Sequence, residues 1–208
     1  MSAGESRDGG LDLSAFRFSL SPLGILVAAR RIGIGDEDAF ADASAKNLTR
    51  RRASGAARIA ARGLLGELGS DPFAPLPRSP SRAPVWPKGV VGSLAHDDVF
   101  AVAAVASARQ VVALGIDIEP ADPLPDDIAA FALSDAERLS THGDPVTARL
   151  IFSCKEAVYK AVNPFDGSPL EYDDIEIRLA EERAAVADGR EVKIIVERGA
   201  RLLVVALF

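Results

Sequence analysis

Two carboxylates lie side by side in the segment Leu114 to Glu119, which reads Leu-Gly-Ile-Asp-Ile-Glu. Because side chains alternate between the two faces of a strand, Ile116 and Ile118 would share one face, and Asp117 and Glu119 the other. Carboxylates about 7 Å apart at Cα can share one hard cation such as Mg²⁺, which prefers a few carboxylates plus phosphate oxygens and water. An ordinary edge strand with its polar face in water has the same alternation, so both interpretations stay open.

A third carboxylate, Glu156, lies in a segment with helical periodicity. One apolar stripe is formed by Ile151, Cys154, Val158 and Ala161, and Phe152 and Tyr159 flank Glu156 on roughly the opposite side. A helix packed on both faces would bury Glu156, and a buried carboxylate needs a cation or a hydrogen-bond partner. Glu156 and Lys160 also have the i, i+4 spacing of a surface salt bridge, so the helix alone does not decide its role.

Positive charge is concentrated in one part of an acidic chain. The whole protein has a formal net charge of -6, yet residues 43 to 96 contain nine basic and two acidic residues. The basic residues are Lys46, Arg50, Arg51, Arg52, Arg58, Arg62, Arg78, Arg82 and Lys88. This asymmetry suggests an anionic partner for one half of the molecule, although a solvated basic helix face has the same composition.

His96 and Trp86 border this basic segment. His96 follows a predicted turn at Gly92-Ser93, whose backbone N–H groups could bind an anion. A lone histidine in a turn is also typical of a solvated or locally bonded side chain. Trp86 could stack on a base or simply anchor its loop, and anchoring is the more ordinary role.

The elements that would position these residues are short strands alternating with helices. Residues 1 to 12 are expected to form a flexible tail, 16 to 30 paired strands, and 43 to 68 a helix stopped at Gly69. Six prolines in residues 70 to 88 predict an extended loop. Strands are predicted at 100 to 106, 111 to 119, 171 to 179, 191 to 197 and 202 to 208. Helices are predicted after the capping box Ser134/Glu137 and from Asp144-Pro145 to Asn163-Pro164. This order favours an α/β or α+β fold.

Composition excludes several classes of protein. The chain has 208 residues, 48% of them hydrophobic, which suffices for one domain or two small fused halves. A single cysteine, Cys154, excludes an intramolecular disulfide framework, and two histidines leave little for a histidine-rich metal site. The amino terminus is polar and the apolar runs are far too short to span a bilayer, so we expect a soluble, cytoplasmic protein.

Three segments, taken in order, resemble the signature blocks of 4'-phosphopantetheinyl transferases of the surfactin/enterobactin-synthase type. They are APVWPKGVVGSLAH (83 to 96), GIDIE (115 to 119) and FSCKEAVYKA (152 to 161), and the similarity extends from about residue 50 to PLEYDDIEI (169 to 177). The resemblance implies Mg²⁺-dependent transfer of the phosphopantetheine arm of coenzyme A to a serine of an acyl or peptidyl carrier protein. Adenosine 3',5'-bisphosphate would be released, in siderophore, non-ribosomal peptide, polyketide or fatty-acid synthesis.

The resemblance also implies roles for individual residues. Asp117, Glu119 and Glu156 would be metal ligands, and Mg²⁺ would neutralise charge on the leaving phosphate. Either Glu156 or a metal-bound water would take the proton of the carrier serine. Lys160 would contact phosphate oxygens, with Lys155 as a second candidate.

Coenzyme A would be held by the basic segment. The resemblance places Ser93 and His96 on its phosphates and Arg58, Arg78 and Arg51 around the 3'-phosphate and pyrophosphate, where the arginine fork suits phosphate. Two residues depart from the usual family pattern: Ala95 stands where many members have serine or threonine, and Ala57 where many have glycine.

The implied fold consists of two similar α/β halves related by a pseudo-twofold axis, with the active site in the cleft between them. We therefore expect a basic N-terminal half at 1 to 112, which binds coenzyme A, and a C-terminal half at 113 to 208, with the metal ligands and catalytic helix. We expect a monomer that acts with neither nucleic acid nor a membrane.

Two alternatives belong to other classes of protein. The chain could be a non-catalytic coenzyme A or nucleotide-binding module that keeps only the basic clamp. It could also bind RNA or DNA through residues 50 to 62, which would require strongly salt-dependent binding.

Overall fold

The computed structural model describes residues 9 to 39, 47 to 167 and 170 to 208. The chain divides between Val111 and Val112 into two compact units. Of the tail expected at 1 to 12, residues 1 to 8 lie outside the described part, and Leu11 is buried. Residues 43 to 46 of the expected helix also lie outside it.

The first unit is a three-stranded antiparallel sheet with a long helix on one face. Its strands are β1 (Leu26–Arg31), β2 (Val90–His96) and β3 (Phe100–Ser107), in the order β1-β3-β2. The helix α2 (Leu48–Glu67) begins at Asn47, whose side chain accepts a hydrogen bond from the backbone N–H of Arg50. Its apolar face packs Ala61, Leu64 and Leu65 against Ala103 and Val105 of β3.

The segment before β1 differs from the expected paired strands, because residues 14 to 20 form a helix, α1 (Ser14–Leu20). Phe16, Phe18 and Leu20 alternate as in a strand, but Phe16 and Leu20 are also spaced i, i+4. The structure uses the helical spacing: Phe16 and Leu20 are fully buried, whereas Phe18 is 83% exposed.

Gly92 and Ser93 lie within β2 and not in the expected turn. A Cβ on Gly92 would come within 2.7 Å of the Trp86 ring, so the glycine allows the indole to pack directly on the strand. Trp86 therefore anchors its loop to the sheet, as the more ordinary of its two interpretations predicted.

The second unit is a five-stranded antiparallel sheet with the order β4-β8-β7-β6-β5. Its strands are β4 (Leu114–Pro120), β5 (Ile175–Arg178), β6 (Arg183–Val186), β7 (Glu191–Arg198) and β8 (Arg201–Leu207). Its helices are α3 (Asp126–Ala132), α4 (Asp135–Ser140) and α5 (Pro145–Asp166). The sequence did not predict β6, and β5 is shorter than expected because residues 172 to 174 form a 3₁₀ turn. Both units combine helices with antiparallel sheets, so the α+β class is confirmed.

The helix α5 lies directly on β4 at Gly115. A Cβ at this position would stand 1.9 Å from the carbonyl oxygen of Ala157, closer than any side chain permits. The absent side chain lets the helix backbone approach the strand. Since Asp117 and Glu119 alternate on the same face as Gly115, this contact brings both carboxylates against α5.

None of the helices in the described ranges combines the length and apolar character needed to cross a bilayer.

Candidate active site

The polar face of β4 is covered by α5 and does not face water. Ile116 and Ile118 are fully buried on the opposite face, as the alternation predicted. Although β4 is an edge strand of its sheet, Asp117 is only 5% exposed. The interpretation of this segment as an ordinary strand with a solvated face is therefore wrong.

Asp117 accepts hydrogen bonds from two residues of α5. Its Oδ1 accepts from Nζ of Lys160 at 2.5 Å, and its Oδ2 accepts from the Ser153 hydroxyl at 2.8 Å. Burial acts to lower the pKa of Lys160, but the nearby carboxylates of Asp117, Glu156 and Glu119 outweigh burial and raise it. Lys160 is thus an ammonium bonded to Asp117, and the charges of Glu156 and Glu119 also act on it.

Glu119 is held by Arg149, a residue for which the sequence carried no signal. Nη1 of Arg149 donates to Oε2 of Glu119 at 2.6 Å, and its other nitrogens donate to the carbonyls of Asp122 and Pro123. Burial raises the pKa of Glu119, the charge of Asp117 raises it further, and Arg149 opposes both. Arg149 therefore ties Glu119 and the loop after β4 to α5.

Glu156 is half-buried and borders a cavity of about 250 Å³. The cavity is lined by Lys155, Glu156, Tyr159, Leu170, Glu171, Tyr172 and Ile175. The four residues of the predicted apolar stripe are all buried on the other side of α5, whereas Tyr159 is 39% exposed. We expected Glu156 to be enclosed between two packed faces of the helix. In the structure it is instead open to the cavity.

Tyr172 provides the hydrogen-bond partner of Glu156. Its hydroxyl donates to Oε1 of Glu156 at 2.5 Å, and its ring packs against those of Phe131 and Phe152. Burial and the carboxylate of Glu156 both raise the pKa of Tyr172, so the hydroxyl keeps its proton and remains a donor. No pattern in the sequence indicated this contact.

Lys155 does not fit its expected role as a phosphate contact. Only 1% of its side chain is exposed, and its ammonium pairs with Oε2 of Glu137 at 2.7 Å. The same ammonium donates to the backbone carbonyl of Tyr172 at 3.0 Å. We therefore place the charge of Lys155 in the interior of the unit and not among the coenzyme A contacts.

The donor set suits Mg²⁺ chemically, although the expected trio is not preassembled. The described part of the chain contains no group of three acidic, histidine or cysteine side chains close enough to hold a metal ion. Asp117 and Glu119 nevertheless offer hard oxygen ligands, and Mg²⁺ often needs only one or two carboxylates beside phosphate oxygens. The raised pKa of Glu119, to which Asp117 contributes, marks negative charge that a divalent cation would relieve.

In the first unit, Arg58 is buried and does not present its charge to solvent. It is 4% exposed, and its guanidinium donates to the carbonyl of Leu76 at 2.8 Å and to that of Ser54 at 3.0 Å. Arg58 thereby fastens the proline-rich loop to α2. The expectation that it clamps a phosphate is replaced by this role in the fold.

Arg78 and Arg51 are less deeply buried than Arg58. Nη2 of Arg78 donates to the hydroxyl of Ser54 at 3.0 Å. The Nε of Arg51 is buried without a hydrogen-bond partner among the residues that the structure describes. An unsatisfied guanidinium nitrogen is compatible with an anionic ligand at this point of α2.

Ser93 and His96 lie on opposite faces of β2, since they are three residues apart on one strand. His96 is exposed and shares the face of Leu94, which packs on Ala56 and Ala57 of α2, whereas Ser93 is buried on the other face. Their side chains therefore do not meet on a single phosphate group.

Two family models match the chain. Residues 36 to 106 match the 4'-phosphopantetheinyl transferase N-terminal domain, and residues 113 to 199 match the 4'-phosphopantetheinyl transferase superfamily.

Curated relatives are similar over shorter stretches. The chain is 44% identical over 128 residues to the 4'-phosphopantetheinyl transferase Svp of Streptomyces mobaraensis, covering 59% of this chain and 52% of that protein. It is 38% identical over 143 residues to Npt of Nocardia iowensis, covering 67% and 64% respectively. It is 36% identical over 124 residues to PptT of Mycobacterium tuberculosis, covering 58% and 54%. The chain thus spans between about half and two thirds of the length of these relatives. Among solved structures, the holo-[acyl-carrier-protein] synthase of Thermotoga maritima has a TM-score of 0.35 and 16% identity, over 47% of this chain and 62% of that one.

Proposed function

The chain belongs to the 4'-phosphopantetheinyl transferase superfamily, and we propose that it transfers the 4'-phosphopantetheine arm of coenzyme A to a serine of an apo carrier protein. The observation that carries the proposal is the arrangement around Lys160. Asp117, Glu119 and Glu156 all lie close enough to raise its pKa, and Glu156 borders the open cavity. Charged groups gathered beside a cavity in this way are typical of a catalytic site.

In the proposed reaction, the serine hydroxyl oxygen bonds to the phosphorus that carries the pantetheine arm. The bond from this phosphorus to the oxygen shared with the second phosphate breaks, and its electron pair leaves on adenosine 3',5'-bisphosphate. Glu156 takes the serine proton. Its Oε1 is engaged by Tyr172, which directs Oε2 toward this task.

Lys160 supplies positive charge where the pyrophosphate would lie. Its ammonium offsets the charge of Asp117 in the protein alone and can donate to phosphate oxygens when coenzyme A binds. Asp117 and Glu119, with Glu156, would hold Mg²⁺, which would neutralise charge on the pyrophosphate. Arg149 keeps Glu119 at the surface of α5, where it can serve as a ligand.

The first unit would bind the anionic groups of the nucleotide portion. We propose Arg51, Arg78 and His96 as contacts to the phosphates of coenzyme A, because each carries nitrogen donors and none of the three is fully buried. Ser93 would contribute from the opposite face of β2. The cavity beside Glu156 would receive the pantetheine arm, since Leu170, Tyr159 and the stem of Lys155 give it apolar walls.

The finer assignment follows the resemblance in the signature segments. We propose an enzyme of the surfactin/enterobactin-synthase type that acts as a cytoplasmic monomer on a carrier protein of siderophore, non-ribosomal peptide, polyketide or fatty-acid synthesis. The genomic neighbourhood and a panel of apo carriers would identify the partner.

The direct test is incubation of the protein with coenzyme A, Mg²⁺ and several apo carrier proteins, followed by mass spectrometry of the carrier serine. We expect the mass of the phosphopantetheine arm on at least one carrier, and no transfer by Glu156→Gln. Absence of transfer to every carrier would contradict the proposal. If coenzyme A then still raised the melting temperature, the protein would be the non-catalytic binding module.

A further inference from the structure

The interior of the second unit contains a fully buried ion pair between Lys155 of α5 and Glu137 of α4. The two side chains are 1% and 4% exposed, and Nζ and Oε2 are 2.7 Å apart. A buried ion pair is weak evidence for stability, because desolvation of both charges offsets much of their attraction, and well-packed apolar residues often serve as well. The hydrogen bonds of this pair indicate a different reason for its presence.

Glu137 joins three elements through its two carboxylate oxygens. Oε2 accepts from the backbone N–H of Ser134 at the start of α4, in addition to Lys155. Oε1 accepts from the backbone N–H of Ile177 in β5 at 3.0 Å. Glu137 is therefore fixed in place, and so is the ammonium that it holds.

Lys155, held in this way, in turn restrains the backbone of Tyr172. Its ammonium donates to the backbone carbonyl of Tyr172, while the hydroxyl of the same tyrosine donates to Glu156. Lys155 and Glu156 are consecutive in α5, so their side chains point about 100° apart around the helix. Tyr172 bonds to both, through its carbonyl to Lys155 and through its hydroxyl to Glu156, so it links two neighbouring side chains of α5.

We propose that Glu137 and Lys155 are positioning residues that fix Tyr172 so that its hydroxyl holds the Glu156 carboxylate in the orientation needed for proton transfer. This inference rests on the proposed transferase function. Without the hydrogen bond from Tyr172, the Glu156 carboxylate can turn along α5 toward Lys160, four residues away. Its oxygen is then no longer placed to accept the serine proton.

The first test is Tyr172→Phe, which removes the hydroxyl but keeps the ring that packs on Phe131 and Phe152. We expect kcat for transfer to fall by about 10-fold to 100-fold, as for a misplaced catalytic group, with the KM for coenzyme A and the melting temperature nearly unchanged. An unchanged kcat would overturn the proposal.

The second test replaces the ion pair by apolar residues, in the double variant Glu137→Leu with Lys155→Met. We expect a folded protein that binds coenzyme A in calorimetry and loses kcat about as much as Tyr172→Phe does. Adding Tyr172→Phe to this double variant should cause little further loss, because all three changes act through one hydrogen bond to Glu156. Independent, multiplicative losses would refute the shared role.

The control is Glu176→Gln, which breaks the exposed pair of Glu176 with Arg178 on β5 and should leave kcat and KM unchanged. If the double variant fails to fold, Glu137→Gln takes its place, because the amide keeps an acceptor for the backbone N–H of Ile177, and an unchanged kcat would then overturn the roles of Glu137 and Lys155. A wild-type protein without transfer would refute the proposed function, whereas an active wild type with unaffected variants would refute only this inference.

Discussion

Asp117 stands between two donors of the same helix, the hydroxyl of Ser153 and the ammonium of Lys160. The i, i+4 pair of Glu156 and Lys160 suggested a surface salt bridge, but the ammonium bonds to β4. Lys160 thus carries the positive charge that permits three carboxylates to lie near one another.

We predict that Asp117→Asn lowers kcat/KM for transfer by about 100-fold or more, since both a metal ligand and the partner of Lys160 are lost. The amide can still accept from Ser153, so the protein should fold, with a loss of about 1 to 3 kcal/mol of unfolding free energy because the ammonium loses its anionic partner.

Chemical denaturation and steady-state transfer assays would check both effects. Asp135→Asn is the matched control, because Asp135 pairs with Arg138 at the surface of α4 and contributes little. Near-normal turnover of Asp117→Asn would contradict the assigned role.

At the scale of elements, the site depends on how closely α5 approaches β4. Gly115 permits this approach, and Asp117 and Glu119 follow on the same face of the strand. Arg149 near the start of the helix and Lys160 near its end then reach the two carboxylates. A helix displaced outward would separate all four groups at once.

We predict that Gly115→Ala lowers the unfolding free energy by about 1 to 3 kcal/mol or more and reduces transfer, because the new methyl group collides with the backbone at Ala157. Gly63→Ala in α2 is the control. Its Cβ would meet no atom within 4 Å, so it should stabilise the helix by about 0.5 to 1 kcal/mol. A Gly115→Ala variant as stable as the wild type would show that α5 does not need this approach.

The start of α5 makes stability depend on pH. Hydrogen bonds from the Thr147 hydroxyl and the Val146 N–H lower the pKa of Asp144 below its ordinary value of 3.8. A lowered pKa in the folded state stabilises the protein above the unfolded value, and this contribution is lost as pH falls through the folded value. We therefore predict that Asp144→Asn is less stable than the wild type near pH 7 and that the difference shrinks below pH 3.8.

Melting temperatures measured across this pH range would show the convergence. A constant difference between the two proteins would mean that the carboxylate charge at Asp144 does not stabilise the helix.

In the protein as a whole, part of the positive charge of residues 43 to 96 is engaged in internal contacts. Arg58 is buried between backbone carbonyls, and Arg52 pairs with Glu37 at 3.0 Å. The net positive charge of residues 43 to 96 therefore overstates the charge available to a ligand. This weakens the nucleic-acid alternative and fits a compact anion with a few phosphate groups.

We predict that coenzyme A with Mg²⁺ raises the melting temperature, with a gain of about 2.7 kcal/mol when the ligand is at 100 times its dissociation constant. Arg51→Gln should reduce the gain, whereas Arg109→Gln, an exposed position, should not. Stabilisation of equal size by duplex DNA, abolished by salt, would favour the nucleic-acid alternative instead.

Local patterns in the sequence predicted several features correctly. The period of two in residues 114 to 119 separated Asp117 from its isoleucine neighbours, and Asp144-Pro145 marked the start of α5. The order of three segments indicated the family. The first two signals lie within a few consecutive residues, where strand alternation and helix capping act directly on the chain.

The partners of the charged groups could not be predicted in this way, because they lie far away along the chain. Lys160 bonds to a residue 43 positions earlier, Arg58 to one 18 positions later, and Lys155 to the carbonyl of a tyrosine 17 positions later. Lys155 and Glu156 are consecutive charged residues, and the sequence does not distinguish which of their side chains is buried. Only the packing of α5 between the sheet and residues 170 to 175 turns one into the interior and the other toward the cavity, since burial depends on what surrounds each face of a helix.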